Sequence, residues 1–327
     1  MQFNLTRKEV EAIARIESYT VNNVEKVIRL SMILDDLNTL PEFRGNFLLK
    51  GGTAINLVAF EKLPRLSVDL DLDLAHNLSK EEMLSMREDI NIRLKEYCQS
   101  NGYVMDYRTS YALDSISLKY ETVSGSKDKI KLDMNYLNRC HILDPVTSEI
   151  PFPLGCLTGR MMTVAHVPTI ELFAGKIKAF YERCKPRDIY DIYSLSVSGM
   201  LMSDEERTLL RKCIVFYSTL GNEDNPEILK RDIRRILDMP FMDIKTQLLP
   251  MLHTHMGKYE KEKIDTAVIR YLTDLMQLDS SDQEYISEFF KGNFKPELLF
   301  PNAIAEKLSC HPVALKTQMN IKGQLEE

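Results

Sequence analysis

From Val68 to Leu74 the chain alternates without a break: Val68, Leu70, Leu72 and Leu74 on one parity, Asp69, Asp71 and Asp73 on the other. A period of two is the mark of a β-strand with one buried face. The opposite face then carries three carboxylates, neighbours about 6.6 Å apart, which repel one another. Such a face is stable when it is fully solvated or when a cation lies on it. From this run alone an exposed sheet face, a structural Ca²⁺ site and a catalytic metal site all stay open.

A further acid answers from downstream. Ile130 to Tyr136 alternates as well, with Asp133 sharing a face with Lys131 and Asn135, opposite Ile130, Leu132 and Met134. If the two strands are neighbours, Asp69, Asp71 and Asp133 converge, as carboxylates do that hold Mg²⁺ together with nucleotide phosphates. Asp73 lies farther along and reads as supporting or solvated. Upstream, Phe47-Leu48-Leu49-Lys50 reads as a short buried strand running into Gly51-Gly52-Thr53, with a helix starting at Ala54. Strand, paired glycines and helix N-terminus can cradle a phosphate, because glycine lets the backbone approach and the free N–H groups point at the anion. A tight turn that merely uses two glycines reads equally well, and the GxxxxGK[ST] spacing is absent.

The elements that must position these groups follow from caps and periods. Thr6-x-x-Glu9, Ser79-x-x-Glu82 and Ser203-x-x-Glu206 are capping boxes that open helices. Val24, Val27, Ile28, Met32, Ile33 and Leu37 mark a second helix near the N-terminus. Tyr103–Tyr107 and Ser115–Glu121 read as strands, the latter joined to the Asp133 strand through the turn Ser124–Asp128. After about residue 165 the period becomes helical, with Ile170, Phe173, Ile177, Phe180 and Cys184 on one face. Helices are then expected at Asp188–Tyr193, from Ser203 to Gly221, and at 228–237, 264–278, 285–290 and, last, 303–308. This gives an α+β domain over 1–165 followed by an all-helical domain over 166–327.

At 327 residues the chain is long enough for two domains, and 44% hydrophobic with 28% charged residues excludes collagen-like and broadly disordered classes. The net charge of −6 argues against non-specific coating of nucleic acid, without excluding a local basic groove. The six cysteines form no CxxC pair and read as reduced thiols. The six histidines form no HExxH, and His253 and His255 have no partner motif, so no zinc site is read. No run approaches the ~18 apolar residues of a membrane span, and the N-terminus lacks the apolar core of a signal peptide. A cytoplasmic protein is expected.

Lys50-Gly51-Gly52-Thr53-Ala54 followed by Arg65-x-Ser67-x-Asp69-x-Asp71 resembles the opening motif of the AbiEii/AbiGii-type nucleotidyltransferase toxins, within the DNA polymerase β-like nucleotidyltransferase superfamily. Glu171 to Ala179 resembles that family's E-x-x-x-x-K-x-x-A helix, and Arg183-x-x-x-Arg187-Asp188-x-x-Asp191 its R-x-x-x-R-D-x-x-D segment. Phe294–Phe300 and His311-Pro312 are similar as well, so the likeness runs through most of the chain in order. The resemblance implies a polymerase β-like domain with a mixed sheet and a helical domain that completes the active-site cleft. It implies Asp69, Asp71 and Asp133 as ligands of Mg²⁺ or Mn²⁺, and Asp69, Asp71, Lys176 and Asp188 as catalytic residues. Lys50, Gly51, Gly52, Thr53, Arg65, Ser67 and Lys176 would bind the NTP, with Arg187 and Asp191 in support.

The expected activity is transfer of a nucleoside monophosphate to an acceptor with release of pyrophosphate, by the toxin of a type IV toxin–antitoxin or phage-defence pair. The acceptor implied is RNA, the 3′ end of tRNA, and the expected partner is a cognate antitoxin. A nucleotide-binding regulatory protein without transfer activity, and nucleotidylation of a protein or small molecule, are the alternatives. Away from the motif, Lys230, Arg231, Arg234 and Arg235, and separately Arg207, Arg211 and Lys212, read as solvated helix faces sooner than RNA contacts. Tyr190 and Tyr193 read as core packing sooner than base stacking.

Overall fold

The Thr6, Ser79 and Ser203 hydroxyls each accept from the backbone three residues on, and the matching glutamate reaches back, so all three capping boxes form. The computed structural model describes residues 3–157, 159–221, 227–253 and 259–326; His255 lies outside them. The chain divides into two units. The first comprises Met1–Arg139, Pro145–Val167 and Leu249–Gly257, the second Cys140–Asp144, Pro168–Leu248 and Lys258–Glu327. Hydrogen bonds explain the two exchanged segments. Met251 O accepts from Leu66 N–H at 2.8 Å and the His253 ring stacks on Tyr19, whereas the N–H groups of Ile142 and Leu143 donate to Glu171 at 3.1 and 3.0 Å.

The first unit runs α1 (Arg7–Ile16), α2 (Val21–Thr39), β1 (Phe47–Lys50), α3 (Gly51–Ala54), β2 (Asp69–Leu74), α4 (Lys80–Ser100), β3 (Val104–Thr109), β4 (Leu113–Glu121), β5 (Lys127–Asn135), β6 (Val146–Pro151) and β7 (Met161–His166). After Ala54 the helix widens into a π-turn over Ile55–Ala59. The seven strands form one mixed sheet in the order β3-β4-β5-β2-β1-β7-β6. β2 pairs antiparallel with β1 and parallel with β5, while β4 is antiparallel to both β3 and β5. Leu70, Leu72, Leu74, Leu118, Ile130, Leu132 and Met134 are buried on the apolar side, and α2 packs against β5 and β7.

β6 and β7 have no counterpart in the sequence reading. Val146–Pro151 is an edge strand whose residues are mostly exposed, so it has no apolar period. In β7 the exposed Met161 blurs the alternation of Met162, Val164 and His166.

The second unit is helical: α5 (Thr169–Arg183), α6 (Pro186–Ser198), α7 (Asp204–Thr219), α8 (Ile233–Leu237), α9 (Phe241–Gln247), α10 (Lys261–Leu275), α11 (Ser280–Phe289), α12 (Asn302–Leu308) and α13 (Pro312–Glu326). α5 packs on α6 and α7, and its Phe173, Ile177 and Phe180 are fully buried. Two expectations are corrected. The helix expected over 228–237 breaks into a 3₁₀ turn, Ile228–Lys230, and the short α8. The helices also do not end at Leu308: Pro312 opens a further one, α13. Proline suits a first helical position because its missing N–H is unpaired there in any case.

Candidate active site

The register brings the acids together by backbone. Asp71 of β2 lies opposite Asp133 of β5 and Lys50 of β1, and the same row continues through Ser115 of β4 to Arg108 of β3. A second row reads Asp69, Lys131, Ser117, Asp106. The polar face of the sheet is therefore continuous from β1 to β3.

The three aspartates of β2 differ sharply. Asp69 and Asp71 are partly exposed, but Asp73 is 1% exposed, with Lys50 Nζ at 2.5 Å and Asn138 Nδ2 donating at 2.6 Å. The repulsion expected along the strand is thus relieved at Asp73 by an internal cation and an amide. The solvated setting open to Asp73 is excluded, and the Lys50 ammonium, expected at a nucleotide, is bound to Asp73.

The glycine turn closes on the acid pair. Gly51 has φ +70°, and a Cβ there would collide with the Asp71 carboxylate, so both conformation and contact require glycine. A Cβ on Gly52 would lie 2.7 Å from Arg65 Nη2 and 3.2 Å from Ser67 Oγ. Thr53 is buried; its hydroxyl donates to the Asp69 carbonyl oxygen and lies 2.9 Å from the Ser67 hydroxyl. Asn56 Nδ2 donates to Gly52 O at 2.6 Å. Arg65 is 1% exposed, with Nη1 donating to Leu66 O at 2.8 Å. It backs the turn from inside rather than offering a surface to a ligand.

Asp133 is in register with Asp71, but its carboxylate accepts from Ser115 Oγ at 2.7 Å and from Lys131 Nζ at 2.5 Å. Among the described residues no three His, Cys, Asp or Glu side chains gather closely enough to hold a metal ion alone. The donor set still fits Mg²⁺, a hard ion that takes one or two carboxylates and completes its shell from water and substrate phosphates. Lys131 supplies a stand-in cation. Burial alone would lower its pKa, but the bond to Asp133 and the fields of Asp133, Asp71 and Asp69 raise it above the ordinary lysine value. An ammonium is thus stabilised by all three acids at once.

The helical unit holds a different cluster. Lys176 Nζ is 3.0 Å from Asp188 Oδ1 and 3.1 Å from Asp191 Oδ2. Arg183 Nε is 3.3 Å from Asp188 Oδ2, and Lys185 N–H donates to that oxygen at 3.2 Å. The spacing explains the meeting: Asp188 and Asp191 share one face of α6, Lys176 and Arg183 one face of α5. Burial pushes the Asp188 carboxyl up, but Lys176 and Arg183 outweigh it and hold it below the usual aspartate range.

One turn earlier, Glu171 is fully buried and accepts from Ile142 N–H, Leu143 N–H and the Tyr217 hydroxyl, with His141 Nδ1 at 3.4 Å. Those bonds outweigh the cost of burial and keep its pKa low. The motif glutamate is a tie between chain segments, a role that only its burial reveals.

Several other residues take internal roles. Arg211 bonds Asp282 and Asp279 at 2.6 and 2.5 Å, Arg207 bonds Asp274 at 2.5 Å, and Arg231 donates to Tyr181 O at the end of α5. Arg207 and Arg211 are thus drawn into ion pairs within the unit, whereas Lys230, Arg231, Arg234 and Arg235 stay exposed, as a solvated face requires. Tyr190 is buried in the core. Sequence reasoning missed the Lys50–Asp73 pair and the Asn138 donor. The signal was that Asp73 stands two residues beyond Asp71, the register partner of Lys50, legible only once β1 and β2 are paired.

A mixed sheet carrying a strand, a glycine turn and an adjacent acid pair, followed by a helical unit, is the arrangement of a nucleotidyltransferase. A family model described as "Nucleotidyl transferase AbiEii toxin, Type IV TA system" matches residues 33–270, and the chain belongs to that family. It is therefore a nucleotidyltransferase toxin of a type IV toxin–antitoxin system, for which the family implies an NTP substrate and an antitoxin partner. Among solved structures it is similar to the nucleotidyltransferase toxin MenT4 of Mycobacterium tuberculosis H37Rv, with TM-score 0.60 and 16% identity over 94% of this chain and 99% of that one. That likeness concerns the fold. No curated protein matches at the sequence level. Among the described residues no helix is long and apolar enough to cross a membrane.

Proposed function

We propose that this toxin transfers a nucleoside monophosphate from an NTP to the 3′ end of RNA, with tRNA as the acceptor and phage defence as its setting, and that the reaction depends on Mg²⁺ or Mn²⁺. The observation that carries the reading is the partly exposed pair Asp69–Asp71, with the Gly51 backbone packed against Asp71 so tightly that a Cβ is excluded. Asp69 and Asp71 would hold the ion, with Asp133 joining them when Lys131 releases it. When bound, the ion supplies charge neutralisation at the phosphates and eases deprotonation of the acceptor hydroxyl.

The acceptor oxygen bonds to the α-phosphorus, the bond from that phosphorus to the bridging oxygen breaks, pyrophosphate leaves and the hydroxyl proton passes to solvent. The Gly51-Gly52 backbone presents N–H groups to phosphate, and Thr53, Ser67 and Arg65 fix the turn. Lys50 holds Asp73 neutralised. Lys176, the phosphate-binding lysine that the family resemblance implies, has its ammonium held in place by Asp188 and Asp191.

The test incubates the purified protein with each α-labelled NTP, Mg²⁺ and total RNA, beside Asp69→Ala. Label in RNA that requires both the ion and Asp69 is the expected result. Label that persists in the variant, or that enters only protein or small molecules, overturns the reading.

A further inference from the structure

The same sheet face that carries Asp69 and Asp71 turns basic towards β3. On β5, Lys127, Lys129 and Lys131 share the parity of Asp133, so three ammonium groups stand about 6.6 Å apart along a line that ends at the acid. Lys119 of β4 is the direct cross-strand partner of Lys129, and Arg108 of β3 lies in the row of Asp71, Asp133 and Ser115. All five cations are exposed.

Folding does not ask for this arrangement. Like charges directly opposite on a sheet are destabilising, and Lys119 faces Lys129. The strands are held from their other side, where Ile116, Leu118, Ile130 and Leu132 are buried. Acids relieve part of the strain: Asp106 bonds Lys119 at 3.0 Å and feels the fields of Arg108 and Lys129 as well, and Glu121 stands directly across from Lys127, which leaves the five cations facing fewer acids than their own number. Nor does composition ask for it, since the chain carries a net charge of −6. A row of cations kept against both local repulsion and overall charge calls for an external polyanion. Its even spacing suits a repeating one, the successive phosphates of an extended strand, and Ser117, the register partner of Lys131, adds a hydroxyl to the same face.

We infer that the lysine row of β5, with Lys119 and Arg108, seats the sugar–phosphate backbone of a single-stranded RNA acceptor, its terminal hydroxyl directed towards the Asp133 end of the row. The inference rests on the proposed transfer to RNA and adds where the acceptor lies and which way it runs. Lys131 occupies the junction, bonded to Asp133 at one end of the cation row.

The test uses the full chain and a 3′-terminal single-stranded RNA, with affinity read by fluorescence anisotropy over a salt series. Lys127→Glu/Lys129→Glu is expected to weaken binding about tenfold or more and to reduce the slope of log K against log salt by about 1.4, roughly 0.7 for each phosphate no longer neutralised. Lys127→Arg/Lys129→Arg is expected to bind as the wild type does. A control reversal at the exposed Lys230 and Lys263 of the helical unit should leave affinity and slope in place. Thermal melting of each variant separates loss of binding from loss of fold.

An unchanged slope in the β5 double variant, with Asp69-dependent labelling of RNA retained in full at limiting RNA, overturns the seat while leaving RNA transfer standing. Absence of Asp69-dependent RNA labelling in the wild type instead overturns the transfer reading, and the seat with it. Displacement of the RNA by poly-glutamate at equal charge concentration would assign the face to an acidic protein and also overturn the proposal.

Discussion

Asp69 and Asp71 on β2, and Asp188 and Asp191 on α6, are both carboxylate pairs on one face of one element, and they are treated oppositely. The α6 pair is buried and closes on Lys176 within 3.1 Å, so that cluster contains its own cation. The β2 pair is partly exposed, with the Gly51 backbone tight against it, and its register neighbour Asp133 is bonded to a half-exposed lysine. A buried pair with a fixed counter-ion is an element of structure that also holds an ammonium in place. A pair that stays partly exposed on a polar face, with a glycine turn tight against it, is placed to meet a ligand. Asp73 belongs to the β2 strand by sequence and to the closed type by environment, because Lys50 and Asn138 close around it.

Replacing Asp71 by Asn should break the open pair with the largest effect. The side chain keeps its shape and loses its charge, so transfer is expected to fall about 10³-fold, the equivalent of roughly 4 kcal/mol of transition-state stabilisation. Urea unfolding should change by less than about 1 kcal/mol, since the lost attraction to Lys131 is set against relief of the repulsion among the acids. Labelled-NTP initial rates and a denaturation curve on the same preparation check both halves. A variant that stays active and unfolds more easily would mean that the β2 pair is structural after all.

Lys176→Met tests the closed pair by the opposite readout. It leaves two buried carboxylates without their main counter-ion, and unfolding free energy at pH 7 is expected to drop by roughly 3 kcal/mol. The pH dependence follows from Asp188, whose carboxyl is held below its ordinary value near 3.8 by Lys176 and Arg183 against the effect of burial. Such a depressed group contributes stability that is fully present above its unfolded pKa and is lost as pH falls through the folded one. The wild type should therefore lose more stability as pH falls below about 4 than Asp188→Asn does. Equal slopes would show that Asp188 is not ionised at the expense of burial, and the contrast between the two pairs would shrink.

Much of this contrast was legible in the chain. The period-two run located β2, the glycine pair located the turn, and the resemblance placed Lys176, Asp188 and Asp191 in their motifs. The caps of α1, α4 and α7 were readable because a Ser or Thr with a Glu three residues on is a local device. What stayed hidden depends on pairing across the sheet. Whether an aspartate in an alternating strand faces water or an internal lysine is decided by the neighbouring strand, so Asp73 could be set apart from Asp69 and Asp71 by position but not assigned to Lys50. Arg65 looked like a ligand contact because the motif counts residues and not exposure. β6 was missed because an edge strand needs no apolar period, and β7 because the exposed Met161 blurs its alternation. α13 was missed as a whole, because Pro312 signals a boundary without saying which side of it is helical.

The smallest effect sharpens the comparison most. Asp73→Asn keeps an acceptor for Asn138 and removes the charge opposite Lys50, whose side chain is 28% exposed and can turn its ammonium to water. A stability cost of about 1 kcal/mol is expected, near that of one lost charge-assisted bond partly replaced by solvent. Transfer activity should stay within about tenfold of wild type, a rate change of up to roughly 1.4 kcal/mol. The decisive quantity is the ratio of the two variants in one assay. If Asp71→Asn and Asp73→Asn lose transfer equally, the open face extends past Asp71, and the Lys50–Asp73 pair is part of the reaction centre instead of the support beneath it.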